Sequence, residues 1–480
     1  MNYTNIFKVL SLIGVTISFI FLLDALVAFI YDENYTKFLI FDFLFLALNA
    51  IIWFSLKEYS FNLKIKDSIL AVNLLWFLLG IFGAMPLYIY SDISFASAFF
   101  EAISGFTTTG ATIYNDIESL PHLLLFHRSL MHWLGGMGVI VLGVGLLSMI
   151  NPTGSLSLFK AEATGVQIEK VTPKIKDTAI SLWMIYIVLT LVDMVLLKIF
   201  GMNWFDAINH AFSTISTGGF STKNSSIGYF NNDGIIWTTT IFMILSGINF
   251  LAHLKLYNKD FSGYKTEEVK WYLLVFLVLS LVLTFIHMDL GGDSFYDASK
   301  HSFFTISSVL TTTGFATIDY GTWSQLAIAT IFIAMFVGGN AGSTAGGIKV
   351  IRLVIIFKTI ASEYKRILHP NTLISVFVDG VKQKDRIISA TFGFVILYAI
   401  TVVIVASYIY AKGYDSMTAI SGAFAVVGNV GPGFSHVGPA DNFSFFSDFD
   451  KVFLSIAMII GRLECYTVFL LFSRSFWSKF

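Results

Sequence analysis

Four short stretches of this 480-residue chain place oxygen-bearing or small side chains directly before a glycine. They are Thr108-Thr109-Gly110, Ser216-Thr217-Gly218, Thr312-Thr313-Gly314 and Asn429-Val430-Gly431. Aligned on these glycines, the stretches stand 108, 96 and 117 residues apart, the mark of one unit used four times. Glycine permits backbone angles that side chains resist, which a passage lined by carbonyl oxygens requires. A ring of such carbonyls can replace the hydration shell of a potassium ion. The polar groups here are uncharged, which suits a weakly hydrated monovalent ion that must also leave. A divalent site would favour carboxylates.

The elements that would hold these turns follow from the apolar pattern. The chain is 56% hydrophobic and 13% charged, with a mean hydropathy of +0.75, whereas soluble domains carry about 25% charged residues. This predicts an all-α polytopic membrane protein. Ten spans are expected, at about 5–31, 37–57, 68–91, 123–150, 178–201, 234–256, 270–289, 323–360, 387–411 and 450–473. Four semi-apolar segments too short to span (95–112, 205–222, 299–317 and 416–435) read as re-entrant half-helices, each ending at one of the glycine turns. Their negative C-terminal ends would favour a cation. Irregular backbone at that depth must be buried in protein or line a watery cavity, so four turns from one chain predict a pseudo-fourfold pore.

The expected division is an N-terminal helix pair (1–62) followed by four pore repeats of one orientation: 63–160, 161–262, 263–375 and 376–480. Most of the 30 basic residues fall on one side, densest from Lys349 to Arg386. By the positive-inside rule both termini are then cytoplasmic. The first apolar run lacks a small-residue cleavage pattern and reads as a retained span. A net charge of −1 predicts no nucleic-acid partner, and the single cysteine, Cys465, excludes an intrachain disulfide framework and a Cys-based zinc site.

The stretch from 323 to 360 is too long for one crossing, and Gly338-Gly339-Asn340-Ala341-Gly342-Ser343-Thr344-Ala345-Gly346-Gly347 breaks its middle. A phosphate-binding loop needs a glycine followed by Lys and Ser/Thr in a soluble α/β unit, and neither condition holds. The break is expected to face protein or the pore, with Asn340, Ser343 and Thr344 satisfying released backbone groups. Lys349, at its cytoplasmic end, suits a gate component and an interfacial anchor equally. Arg462 lies within the last span, where an arginine costs several kcal/mol unless it meets water or a partner. Pairing with Glu464 is one reading, and a barrier below the turns is the preferred one.

At these residues the chain resembles the Trk/Ktr/HKT superfamily of cation transporters. The likeness covers nearly the whole sequence. "HRSLMHWLGGMGVIVLGVGLLSMINPTG" (127–154), "KAEATGVQIEKVTPKIKDTA" (160–179), "GGNAGSTAGGIKVIR" (338–352) and "IIGRLECYTVFLLF" (459–472) carry it beside the four turns. The added N-terminal pair makes it similar to the bacterial TrkH type. The resemblance implies a selectivity filter comprising Thr108, Thr109, Gly110 and Ala111; Ser216, Thr217, Gly218 and Gly219; Thr312, Thr313, Gly314 and Phe315; and Asn429, Val430, Gly431 and Pro432. Glycine in all four repeats resembles the potassium-selective pattern. It further implies that the 338–347 loop, with Arg462, obstructs the pore. Potassium would be the transported ion, with no cofactor on this chain. A homodimer in the bacterial inner membrane and a cytoplasmic TrkA-type nucleotide-binding regulatory subunit are also implied.

Other residues point elsewhere or nowhere. His122, His127 and His132 are five apart, not at the spacing of a helical metal pair, and read as packing groups. His210 and His301 precede turns without ligand companions. Asp24 and Asp193 read as helix-packing acids, with proton coupling the other reading, and Glu101 as a source of negative potential at the pore entrance. No catalytic constellation emerges, so no enzyme is expected. A secondary transporter of another cation or small solute is the alternative, although its repeats would usually be inverted. Channel-like passage and proton- or sodium-coupled symport both remain open from the sequence.

Overall fold

The computed structural model describes residues 1–59, 64–141, 175–291, 294–371 and 375–478. Apolar runs fold as helices because only a helix satisfies its own backbone in lipid. Long helices are α1 (Tyr3–Ile30), α2 (Thr36–Ser55), α3 (Ile65–Tyr90), α5 (His122–Val141), α6 (Ile175–Ile199), α10 (Glu267–Gly291) and α14 (Asp385–Ala411). Among the described helices six are long and apolar enough to cross a membrane, or eight if each bent pair counts once. The chain is a multi-pass membrane protein. The 142–150 end of the predicted fourth span and the 160–174 connection lie outside the described residues.

Four short helices match the predicted half-helices: α4 (Phe95–Phe106), α7 (Trp204–Ile215), α11 (Phe295–Leu310) and α15 (Ser416–Val427). Each begins on a polar cap. The side chains of Ser94, Asn203, Ser294 and Asp415 accept from the backbone N–H of Ser97, Asp206, Asp297 and Thr418 respectively. Such caps satisfy donors that the first turn leaves free and start the helix at a defined residue. Each short helix packs on the long helix before it: α4 on α3, α7 on α6, α11 on α10 and α15 on α14.

The helices after the turns are where the sequence reading needs correction. The predicted span 234–256 is two helices, α8 (Asp233–Ser246) and α9 (Phe250–Tyr257), bent by 97°. The stretch 323–360 is broken where the glycine run was expected to break it, into α12 (Gln325–Val337), an irregular loop and α13 (Val350–Leu368). The predicted span 450–473 bends by 111° between α16 (Asp448–Arg462) and the segment starting at α17 (Tyr466–Phe469). Gly247-Ile248-Asn249 and Leu463-Glu464-Cys465 make the two unforeseen breaks, with Glu464 and Cys465 in left-handed backbone conformation. These four following helices close the arrangement: α5 packs on α7, α8 on α11, α12 on α15, and α16 returns to α4. The α1–α2 pair packs against α3 and α5, outside this circuit.

Candidate functional site

Each short helix ends in the same backbone motif. Thr108, Thr217, Thr312 and Asn429 have φ of 52°, 54°, 57° and 55°, and the residue two further on is a glycine with φ of 81°, 86°, 83° and 96°. One hydrogen bond recurs in all four turns. The N–H groups of Thr109, Gly218, Thr313 and Val430 donate to the carbonyls of Ser104, Ser213, Ser308 and Ala425 at 2.7–2.9 Å. Gly110, Gly219, Gly314 and Gly431 are therefore the equivalent positions.

This corrects the sequence alignment in the second turn, which used Gly218. Two adjacent glycines offered two registers, and the backbone adopts the later one. The counterparts of Thr108–Ala111 are Thr217, Gly218, Gly219 and Phe220. Ser216 instead matches Thr107, and Phe220 was missed.

The four turns abut one another in a closed cycle. A β-carbon on Gly110 would stand 2.2 Å from the Gly218 oxygen, and one on Gly219 would stand 1.9 Å from the Thr313 oxygen. On Gly314 it would meet the Val430 oxygen at 2.4 Å, and on Gly431 the Thr109 oxygen at 2.5 Å. Every one of these distances is shorter than a non-bonded carbon–oxygen contact permits. Glycine is thus required at all four places by both φ and space. A cavity of about 130 Å³ opens on the same four glycines and is walled further by Arg128 and Lys223.

The 338–347 loop packs against the other end of the turns. Its backbone takes left-handed values at Gly338, Gly342 and Gly347, as does Lys349 just after it. Gly346 N–H donates to Thr312 Oγ1 at 2.6 Å, and Gly347 N–H to the Gly428 carbonyl at 3.0 Å. Thr344 Oγ1 lies 3.1 Å from the Ile215 carbonyl and 3.3 Å from that of Ser246. Asn340 N–H donates to the Gly247 carbonyl at 2.9 Å, and Ala341 N–H to Glu268 Oε1 at 2.6 Å. Ser343 Oγ donates to the Asn340 carbonyl at 2.6 Å. Ser343 and Thr344 thus satisfy backbone as expected, whereas the buried Asn340 side chain has no hydrogen-bond partner among the described residues.

Arg462 reaches this loop. Its Nη1 donates to the Thr344 carbonyl at 2.9 Å and its Nη2 to that of Gly135 at 3.4 Å. Glu464 is not its hydrogen-bond partner, since that carboxylate accepts from Arg352, whose guanidinium also lies over the Phe394 ring. Lys349 is buried, with Nζ on the Ala345 carbonyl, and so is not an interfacial anchor.

Arg128 was not singled out by sequence. It is 1% exposed and joins the exits of the first two turns. Nε donates to Glu101 Oε1 at 2.8 Å, Nη2 to Thr112 Oγ1 at 3.2 Å and Nη1 to the Ser221 carbonyl at 3.2 Å, with the group 4.1 Å from the Phe220 ring centre. Glu101 Oε2 accepts from Ile113 N–H at 2.9 Å. The Glu101 charge is therefore paired, contrary to its expected role as a source of free negative potential. His132 holds the same turn: Nδ1 donates to the Gly105 carbonyl at 2.7 Å while Nε2 accepts from Phe220 N–H at 3.2 Å. All three spaced histidines do more than fill space, for His127 bonds Asp24 in the buried interior and His122 bonds Glu33.

Further out, Asn224 bridges two connections. Its amide donates to Asp116 at 2.9 Å and accepts from Ile117 N–H at 2.7 Å. The amide holds the Asp116 carboxyl below the usual carboxylate range.

Among known proteins, the family model described as TrkH, cation transport protein, matches residues 34–479. The Trk system potassium uptake protein TrkH of Salmonella typhimurium is 36% identical over the full length of both chains. TrkG of Escherichia coli is 37% identical, covering 90% of each. The crystal structure of the potassium transporter TrkH from Vibrio parahaemolyticus superposes with a TM-score of 0.90 at 34% identity, covering all of both chains.

Proposed function

Because the chain belongs to the TrkH family of cation transport proteins, we propose that it is the potassium-translocating subunit of a bacterial potassium uptake system. The ion passes through the ring formed by the four glycine turns, one from each of four repeats spanning 63–160, 161–262, 263–375 and 376–480. Carbonyl oxygens of these turns replace its water. The C-terminal ends of α4, α7, α11 and α15 point partial negative charge toward the same place. The observation that carries this reading is the cyclic backbone contact among Gly110, Gly219, Gly314 and Gly431.

Below the ring, the 338–347 loop and Arg462 close the path. The loop bonds to carbonyls or hydroxyls of the second, third and fourth repeats, and Arg462 extends the contact to Gly135 of the first. A guanidinium at that depth repels a cation, and the loop occupies the space the ion would cross. Opening requires the loop to leave Thr312, Gly428 and Ile215. The chain works as a homodimer in the inner membrane with both termini cytoplasmic. A TrkA-type nucleotide-binding subunit acts on its basic cytoplasmic side.

The test is rubidium uptake into proteoliposomes holding only this chain, competed separately by potassium and by sodium. Competition by potassium far above that by sodium supports the reading. A well-folded protein that stays silent even after deletion of 338–347 overturns it.

A further inference from the structure

Away from the ring, the interface between the α1–α2 pair and α5 buries three titratable groups. His127 Nε2 donates to the Gly83 carbonyl at 3.0 Å, and its Nδ1 stands 2.8 Å from Asp24 Oδ2. Asp24 and His127 are both fully buried, and Asp42 of α2 is 1% exposed. Asp42 lies on the turn of α2 between Phe41 and Phe45, whose rings stand 5.3 Å and 3.5 Å from that of Phe82. One oxygen of each acid, Asp24 Oδ1 and Asp42 Oδ1, lacks a hydrogen-bond partner among the described residues. Aromatic rings close the surroundings: Phe21 meets the His127 ring edge-on at 4.7 Å and stacks on Phe82 at 5.1 Å.

Counting protons defines what this cluster binds. A carbonyl only accepts, so Nε2 carries hydrogen. The Nδ1–Oδ2 contact holds one more proton, and the Asp24–His127 pair is neutral whichever partner formally owns it. An ionised Asp42 would then add an unpaired charge inside an apolar helix seam, which is costly. A proton on Asp42 removes that charge.

We propose that Asp24, Asp42 and His127 form an intramembrane proton-binding site that exchanges one proton with water and sets the pH dependence of ion passage. The Asp42 O–H bond forms with a proton from water and breaks by returning it. On the outer side, Glu33 accepts from His122 at 2.9 Å in a partly exposed pair, about 7.5 Å along α5 from His127. The route to the ring is short, because Arg128, which joins the first two turns, directly follows His127 on a rigid helix. The role in transport rests on the potassium reading above, but the site itself does not.

The experiment uses the full chain in lipid nanodiscs, followed by infrared difference spectroscopy of the protonated-carboxyl stretch between acid and alkaline buffer. Wild type is expected to show a titrating band that is lost in Asp42→Asn, a near-isosteric change on the outermost helix, and regained in Asp42→Glu. An identical band in wild type and in both Asp24→Asn and Asp42→Asn overturns the site. In proteoliposomes the same variants report rubidium uptake against pH. Loss of the wild-type pH step in Asp42→Asn supports the transport role, and an unchanged step overturns that role. If no variant moves rubidium, the infrared result still decides the site.

Discussion

Arg462 and Thr344 are 118 residues apart in sequence and 2.9 Å apart in space, a guanidinium nitrogen against a carbonyl oxygen. The bond joins the end of α16 to the middle of the 338–347 loop, and the same threonine reaches back through its hydroxyl to the end of α7. A loop with three left-handed glycines has little intrinsic preference for one conformation. Its position is set by such outside bonds.

Arg462→Met should therefore raise ion leak through the chain alone. A hydrogen bond to a charged group contributes about 1.5–3 kcal/mol, so rubidium uptake is expected to rise about tenfold or more in proteoliposomes, with potassium preference kept. An uptake rate equal to wild type would remove Arg462 from the gate.

The second turn offers a test of register. Gly219→Ala puts a methyl 1.9 Å from the Thr313 oxygen at a φ of 86°. Such strain costs about 1–3 kcal/mol, so discrimination between potassium and sodium in uptake competition should fall about tenfold. Gly218→Ala instead meets the His132 ring at 2.4 Å. It should lower thermal stability in detergent without a matching selectivity change.

Breaking the Glu101–Arg128 pair leaves a buried charge alone. Arg128→Met should destabilise by about 3–5 kcal/mol, read as a lower melting temperature. Adding Glu101→Gln should recover part of the loss. If the two changes simply add, the pair is not coupled.

Asn224→Ala should weaken the tie between the first two connections. The Asp116 carboxyl is held below its ordinary value by this amide. Its contribution is present above the unfolded pKa and disappears as pH falls through the lower folded one. The thermal stability difference between wild type and Asn224→Ala should therefore shrink below about pH 4. A difference independent of pH would place the effect in the Ile117 bond instead.

Much of this arrangement was legible because repeated turns leave a spacing that sequence displays directly. The polar caps at Ser94, Asn203, Ser294 and Asp415 sharpen the same signal. The second-turn register was not legible, since Gly218 and Gly219 satisfy the same pattern and only the backbone, through the positive φ of Thr217 and Gly219 and the hydrogen bond from Gly218 to Ser213, separates them. The bends after Ser246 and Arg462 were hidden because hydropathy sums over apolar residues without seeing direction. Arg128 escaped notice for a different reason. Its partners Glu101, Thr112 and Ser221 lie up to 93 residues away, and nothing local marks a buried arginine as paired.

The closed contact from Gly110 through Gly219 and Gly314 to Gly431 is built from one polypeptide. In an assembly of four identical chains, every substitution appears at all four corners at once. Here each corner is encoded separately, so one can change while three stand. Asn429, with its amide on Thr109 Oγ1 at 2.9 Å, sits where the other corners carry threonine. Inheritance can therefore tune this circle by quarters, a freedom that symmetric assemblies lack.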